Sequence, residues 1–250
     1  MFPIGDDNRD RLRRPVVNYC LIAINVAVFL YMLTLRGSAA SFFVYKWAVI
    51  PVRFLHETEF HRANPEITSP VYLTLLTAMF MHGGWLHIGG NMLFLWVFGD
   101  NVEDAMGPVR YLIFYLLAGL AGNVAHIFFN QTSLAPSLGA SGAIAGVLGG
   151  YIVLKPRGRV RNVIWLGIVL LPVVLPAWIV IGYWFILQAF NGIATLGMNF
   201  RSGGASGGNV AYWAHIGGFV AGALLVRFFT VGRSRRQGYD YRPPNAYRPS

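Results

Sequence analysis

Residues 139–150 read Gly-Ala-Ser-Gly-Ala-Ile-Ala-Gly-Val-Leu-Gly-Gly, an apolar stretch that carries small residues along its whole length. A second stretch of this kind, Ala-His-Ile-Gly-Gly-Phe-Val-Ala-Gly, occupies residues 214–222. Small residues four positions apart allow the backbones of two membrane helices to approach closely. The two stretches therefore predict a tightly packed helix pair, and this pairing would place Ser141 beside His215.

The rest of the chain has the composition of a helical membrane protein. Of its 250 residues, 55% are hydrophobic and only 12% are charged, and the mean hydropathy is +0.50. A soluble domain usually carries about 25% charged residues. The charges that exist lie between long uncharged stretches. We predict an all-α polytopic membrane protein, a single bundle of six transmembrane helices.

The order of apolar and polar segments predicts the boundaries of this bundle, which would occupy residues 16–229. The predicted spans are 16–35, 84–99, 111–129, 141–154, 163–193 and 210–229. The fifth contains Pro172 and Pro176, so its helix is expected to begin or kink near Pro176. The aromatic-rich segment 37–83 is expected to lie at the membrane interface. Residues 1–15 would be a cytoplasmic segment and residues 230–250 a basic disordered tail.

The net charge of +10 comes from basic residues beside the apolar spans. With both termini in the cytoplasm, 15 of the 20 Lys and Arg residues face inward and five face outward, as the positive-inside rule requires. The sequence has no nucleic-acid-binding motif, so the charge indicates orientation rather than a nucleic-acid partner. The first apolar run is longer than a cleavable signal sequence and should be retained. We expect a multi-pass plasma-membrane protein of bacterial type.

Polar residues recur at one depth of this predicted bundle. Spans two, four and six would all run inward, and their first turns carry His87, Asn91, Ser141 and His215. Polar and ionisable groups are costly in a bilayer and mark functional sites by default. A serine at a helix N-terminus lies where backbone N–H groups can stabilise an oxyanion, and it needs a base to take its proton. We therefore predict Ser141 as a nucleophile and His215 as its base.

The ordered set of these residues resembles the rhomboid intramembrane serine proteases over roughly residues 16–229. The motifs that carry the resemblance are His82-x4-His87-x3-Asn91, Glu103 with Gly107, Gly139-x-Ser141-Gly142, and Ala214-His215-x2-Gly218-x3-Gly222. Each motif alone is common, whereas the whole set in this order is specific.

The resemblance implies that Ser141 and His215 form a dyad that cleaves single-span membrane proteins inside the lipid bilayer, with no cofactor and no metal. It also implies an oxyanion hole made by the His87 and Asn91 side chains with the Ser141 backbone N–H. Substrates would enter past the fifth span. Supporting positions would be His82, Glu103 at the cytoplasmic helix ends, and the glycines Gly139, Gly142, Gly218 and Gly222.

Two positions depart from the pattern of the family. Some members carry a Trp-Arg pair in the interfacial loop nine residues before the first motif histidine, where this chain has Leu73 and Thr74. Some members place a tyrosine one turn after the serine, stacked on the histidine, where this chain has Ala145. The first departure concerns how the loop is anchored, and the second concerns what holds His215.

Three other functions compete with this interpretation. A membrane zinc protease is suggested by His56-Glu-Thr-Glu-Phe-His61, but histidines five apart point about 140° apart on a helix and cannot share one zinc. A catalytically inactive rhomboid-like protein that binds membrane clients would lack the serine or the histidine, and this chain has both. A transporter or channel would show internal repeats or charges at mid-membrane. This sequence has no clear repeat, and its ionisable groups fall near one face of the predicted bundle.

Overall fold

The computed structural model describes residues 1–167, 169–202 and 210–232, and long helices make up most of it. Short helices occupy the segment between the first two long ones. In chain order the helices are α1 (Val16–Thr34), α2 (Ser38–Trp47), α3 (Pro51–Leu55), α4 (Glu57–Ala63), α5 (Thr74–Thr77), α6 (Trp85–Met106), α7 (Pro108–Phe129), α8 (Ser141–Leu154), α9 (Ala177–Ser202) and α10 (Tyr212–Thr230).

Among the described residues, four helices are long and apolar enough to cross a membrane. They are α1, α7, α10 and the part of α9 from Ala177 to Thr195. Helix α8 is apolar but has only 14 residues, and the last part of α6 is polar. The polytopic helical fold is thus confirmed, while the number of six spans stays a prediction. Residues 233–250 of the predicted tail lie outside the described residues.

Helix α8 forms the centre of the bundle, with every residue from Gly142 to Tyr151 buried. It packs against α10 along two glycine contacts. A methyl group on Gly218 would overlap the carbonyl oxygen of Gly142, and one on Gly222 would overlap that of Gly146. The close helix pair expected from the glycine spacing is therefore present.

A three-stranded antiparallel sheet lies at the end of α8 opposite Ser141. Strand β1 (Phe2–Asp6) pairs with β2 (Arg159–Leu166), which pairs with β3 (Val169–Pro176). The structure differs here from the predicted fifth span, because residues 163–176 are mostly strand and the helix begins at Ala177. A short apolar run fits a strand or a helix equally well. The two prolines are tolerated because β3 is an edge strand.

Residues 37–83 fold around a buried arginine. Arg53 is completely inaccessible to solvent, and its guanidinium donates hydrogen bonds to the backbone carbonyls of Ser69 and Lys46. The Phe60 ring lies 5.3 Å from the same guanidinium. The buried Arg53 therefore anchors residues 37–83, although Leu73 and Thr74 stand where some family members have a Trp-Arg pair.

Candidate active site

Ser141 and His215 lie in contact at the N-terminal ends of two neighbouring helices. Ser141 is the first residue of α8, and His215 lies in the first turn of α10. The Ser141 Oγ is 2.7 Å from Nε2 of His215, a hydrogen-bond distance. The glycine contacts explain this proximity, since a methyl group on Gly142 would already touch the Ala214 carbonyl oxygen at 3.5 Å.

The other ring nitrogen of His215 contacts a residue that the sequence did not single out. Nδ1 lies 2.8 Å from Oε1 of Gln188 on α9. The Trp184 ring, one turn earlier on α9, lies 5.7 Å from the His215 ring at an interplanar angle of 34°. A glutamine within an otherwise apolar span was the available signal for this contact.

Of the two predicted oxyanion residues, His87 lies close to Ser141, and Asn91 lies one turn further along α6. His87 and Asn91 share one face of α6, and the Asn91 side chain donates to the His87 carbonyl over 2.9 Å. A methyl group on Gly139 would lie 2.8 Å from His87 Nε2 and 3.5 Å from the Ser141 Oγ. Gly139 also has φ +140°, which favours glycine. The His87 ring edge therefore faces the side of the pocket that holds the serine hydroxyl.

The remaining predicted positions fall into two groups. His82 is buried next to the site, with its ring packed against that of His87 at 5.1 Å between centroids. Glu103 lies at the far end of α6, where its carboxylate accepts hydrogen bonds from the backbone N–H groups of Val17 and Asn18 at 3.1 Å and 2.7 Å. The structure thus brings His82 to the site and places Glu103 as a cap on α1, away from it.

A cavity of about 1530 Å³ opens onto these side chains. Its walls include His87, Asn91, Ser141 and His215, together with the loop that precedes α8. The loop is held by reciprocal backbone hydrogen bonds between Val49 and Ser137 at 2.7 Å and 2.9 Å. The space is large enough for a peptide segment and for water, both of which hydrolysis requires.

The histidines of the zinc-like motif are engaged elsewhere. His56 pairs with Glu59 at 2.9 Å, and His61 pairs with Glu57 at 3.5 Å, on the exposed helix α4 and its start. Within residues 1–167, 169–202 and 210–232, no group of three His, Cys, Asp or Glu side chains is arranged to hold a metal ion.

Comparison with known proteins matches a Rhomboid domain family model to residues 70–231. The chain is 30% identical over 214 residues to Rhomboid protease GluP of Bacillus subtilis, covering 85% of this chain and 35% of that protein. It is 28% identical over 211 residues to the mitochondrial Rhomboid protein 1 of Saccharomyces cerevisiae, covering 82% and 51% respectively. The chain therefore spans about half the length of these relatives or less.

Proposed function

The chain belongs to the rhomboid family, and from this premise we propose that it is an intramembrane serine endopeptidase whose substrates are single-span membrane proteins. Ser141 is the nucleophile and His215 the general base. The observation that carries the proposal is the 2.7 Å contact between Ser141 Oγ and His215 Nε2 at the wall of a large cavity. An inactive client-binding relative would not need this contact.

The reaction follows from the positions of these atoms. His215 Nε2 takes the hydroxyl proton while Ser141 Oγ bonds to the carbonyl carbon of the substrate peptide. The resulting oxyanion is stabilised by the side chains of His87 and Asn91 and by the backbone N–H of Ser141. The C–N bond then breaks, and the imidazolium gives its proton to the leaving amine. Water, deprotonated by the same imidazole, then adds to the acyl carbon; the bond from this carbon to Ser141 Oγ breaks, the imidazolium returns its proton to the serine, and the acid product leaves.

The site would lie below one membrane surface. Helix α8 has 14 residues, about 21 Å at ~1.5 Å per residue, and the hydrocarbon core is roughly 30 Å thick. If its C-terminal end reaches the cytoplasmic surface, Ser141 lies on the order of 10 Å below the outer one. The loop before α8 then dips into the membrane beside the cavity, where non-helical backbone is tolerated.

We propose that the chain crosses a bacterial plasma membrane six times. Both of its termini would then lie in the cytoplasm. The excess of Lys and Arg at the end that carries the sheet supports this orientation. Strand β1 pairs with β2, so the N-terminus lies at the same end as the connection between α8 and α9. The orientation is tested by introducing a cysteine in place of Ser38 or Arg157 and adding a thiol reagent that does not cross the membrane. Only the cysteine at position 38 should react from outside.

A cleavage assay tests the proposed activity. The chain is reconstituted in liposomes with a tagged single-span substrate, and wild type is compared with Ser141→Ala and His215→Ala. Both variants should be inactive, and only wild type should be labelled at Ser141 by a fluorophosphonate. Ser137→Ala is the matched control, since this serine lines the same cavity and its backbone alone pairs with Val49. Cleavage that persists in both dyad variants would refute the proposal.

A further inference from the structure

Helix α9 brings a polar side chain to the candidate base. The part of α9 from Ala177 to Thr195 is apolar enough to cross a membrane. Gln188 is half-buried within it, with its Oε1 at 2.8 Å from Nδ1 of His215. A glutamine amide in a membrane span is costly unless it is hydrogen-bonded, and this one is bonded to the base.

We propose that Gln188 is a positioning residue that fixes the tautomer and the ring orientation of His215, an inference that rests on the proposed function. A carbonyl oxygen can only accept a hydrogen bond, so His215 must carry its proton on Nδ1. The lone pair of Nε2 then points at Ser141, 2.7 Å away. In the opposite tautomer Nε2 would carry a proton and could not take the one from the serine.

The ring is held from a second direction by the same helix face. Trp184 and Gln188 are four residues apart, so both side chains leave α9 on one side. The Trp184 ring lies 5.7 Å from the imidazole, and Tyr212 contacts it edge-on at 6.5 Å. Helix α9 thus supplies a restraint on the ring of the kind that a tyrosine one turn after the serine supplies in some members, where this chain has Ala145.

The amide acts through the histidine and has no charge to offer the transition state. Loss of a hydrogen bond that orients a metal-ligating histidine typically costs about 10–100-fold in affinity or activity, and we expect a loss of the same order when the bond that orients His215 is removed. Replacement of the aspartate in serine protease triads by asparagine costs far more, about 10⁴-fold, because the histidine is then held in the wrong tautomer, whereas loss of the Gln188 acceptor only leaves the tautomer unfixed. The smaller range is the one expected for Gln188.

The test compares three variants of the full chain in liposomes, with kcat and KM measured on the single-span substrate. Gln188→Met keeps the length and removes the acceptor, so kcat should fall roughly 10–100-fold with KM unchanged. Gln188→Glu restores an acceptor of the same shape and should bring kcat back close to wild type. Asn191→Leu is the matched control on α9, since among the described residues its amide donates to the Leu187 carbonyl of its own helix and not to the candidate site.

The outcomes separate this inference from the function on which it rests. A wild-type kcat in Gln188→Met would overturn the positioning role while leaving the protease intact. Equal losses of kcat in Gln188→Met and Gln188→Glu would also overturn the positioning role. The loss would then not depend on whether the side chain can accept a hydrogen bond, so Gln188 would act through packing. A wild-type chain that neither cleaves nor is labelled at Ser141 would overturn the proposed function itself.

Discussion

The two ends of α8 both carry polar side chains, but they are built differently. At the N-terminal end, Ser141 and His215 face a cavity of about 1530 Å³. At the C-terminal end, the Asp6 carboxylate accepts hydrogen bonds from Tyr151 at 2.7 Å and from Asn101 at 2.6 Å. The N-terminal, open end leaves room for a reacting molecule, whereas at the C-terminal, closed end the polar side chains bond to one another.

The closed end joins three segments of the chain: the N-terminal residues, α6 and the end of α8. Lys155 donates to Asn101, and Arg11 forms an ion pair with Asp100. These contacts hold the N-terminal residues against α6 and α8, next to the sheet. Changes at the open end should therefore alter the reaction rate, and changes at the closed end should alter the free energy of unfolding. The predictions below test that division.

The largest effect is expected from Asn91→Ala at the open end. Removal of one oxyanion donor should lower kcat by about 10²–10³-fold, because the charge on the intermediate loses a hydrogen bond. The midpoint of unfolding in detergent should change little. Asn130→Ala is the matched control, since Asn130 lines the same cavity and also donates to a carbonyl four residues back. An unaltered kcat in Asn91→Ala would remove this residue from the oxyanion hole.

A change at the middle of α8, between the two ends, should lower both the free energy of unfolding and the reaction rate. In Gly222→Ala the new methyl group overlaps the Gly146 carbonyl, so α10 must move away from α8. We expect a loss of about 3 kcal/mol in the free energy of unfolding, together with lower kcat, because His215 is carried by α10. Gly182→Ala is the control, since a methyl group there meets open space. Unchanged stability in Gly222→Ala would show that the helices are not in close contact.

A change at the closed end should affect stability alone. Tyr151→Phe removes the hydroxyl that donates to Asp6, leaving a buried carboxylate with one fewer donor. The expected cost is about 2 kcal/mol, measured by reversible unfolding in detergent. The value of kcat per folded molecule should stay at the wild-type level. Tyr183→Phe, on the exposed face of α9, should change neither quantity, and a loss of kcat in Tyr151→Phe would show that the two ends are coupled.

The difference between the two ends also explains what the sequence could predict. Ser141 and His215 lie on helices whose pairing is encoded locally by glycines four residues apart. Gln188 could not be assigned, because its direction depends on where α9 begins. That start is set by the strand ending at Pro176, in an apolar run that fits a helix equally well.

The closed end was the least predictable region for a related reason. Its sheet pairs residues 2–6 with residues 160–163, and no local periodicity reports a contact across that separation. Asp6 and Lys155 read as ordinary solvated charges beside apolar spans. The sequence thus carries the proposed catalytic residues in short motifs, whereas the supporting network forms only when the N-terminal residues meet segments far along the chain.

The smallest effect expected is a pH dependence at the closed end. Burial raises the pKa of Asp6 to about 6, with a further increase from Asp100 and opposing effects of Tyr151 and Lys155. Between the ordinary pKa of 3.8 and about 6, the folded state binds more protons than the unfolded state. The contribution to stability is therefore full below pH ~4 and is lost as the pH rises through about 6.

Acidification from pH 7 to pH 5 should accordingly stabilise the pairing of β1 with β2 by about 1 kcal/mol. Hydrogen exchange of the β2 amides, corrected for the intrinsic effect of pH, measures this change directly. Asp6→Asn keeps the shape of the side chain and removes its titration, so the stabilisation should vanish in that variant. If the variant keeps the same pH dependence, or if wild type loosens on acidification, Asp6 is not the buried group that controls this end of the molecule.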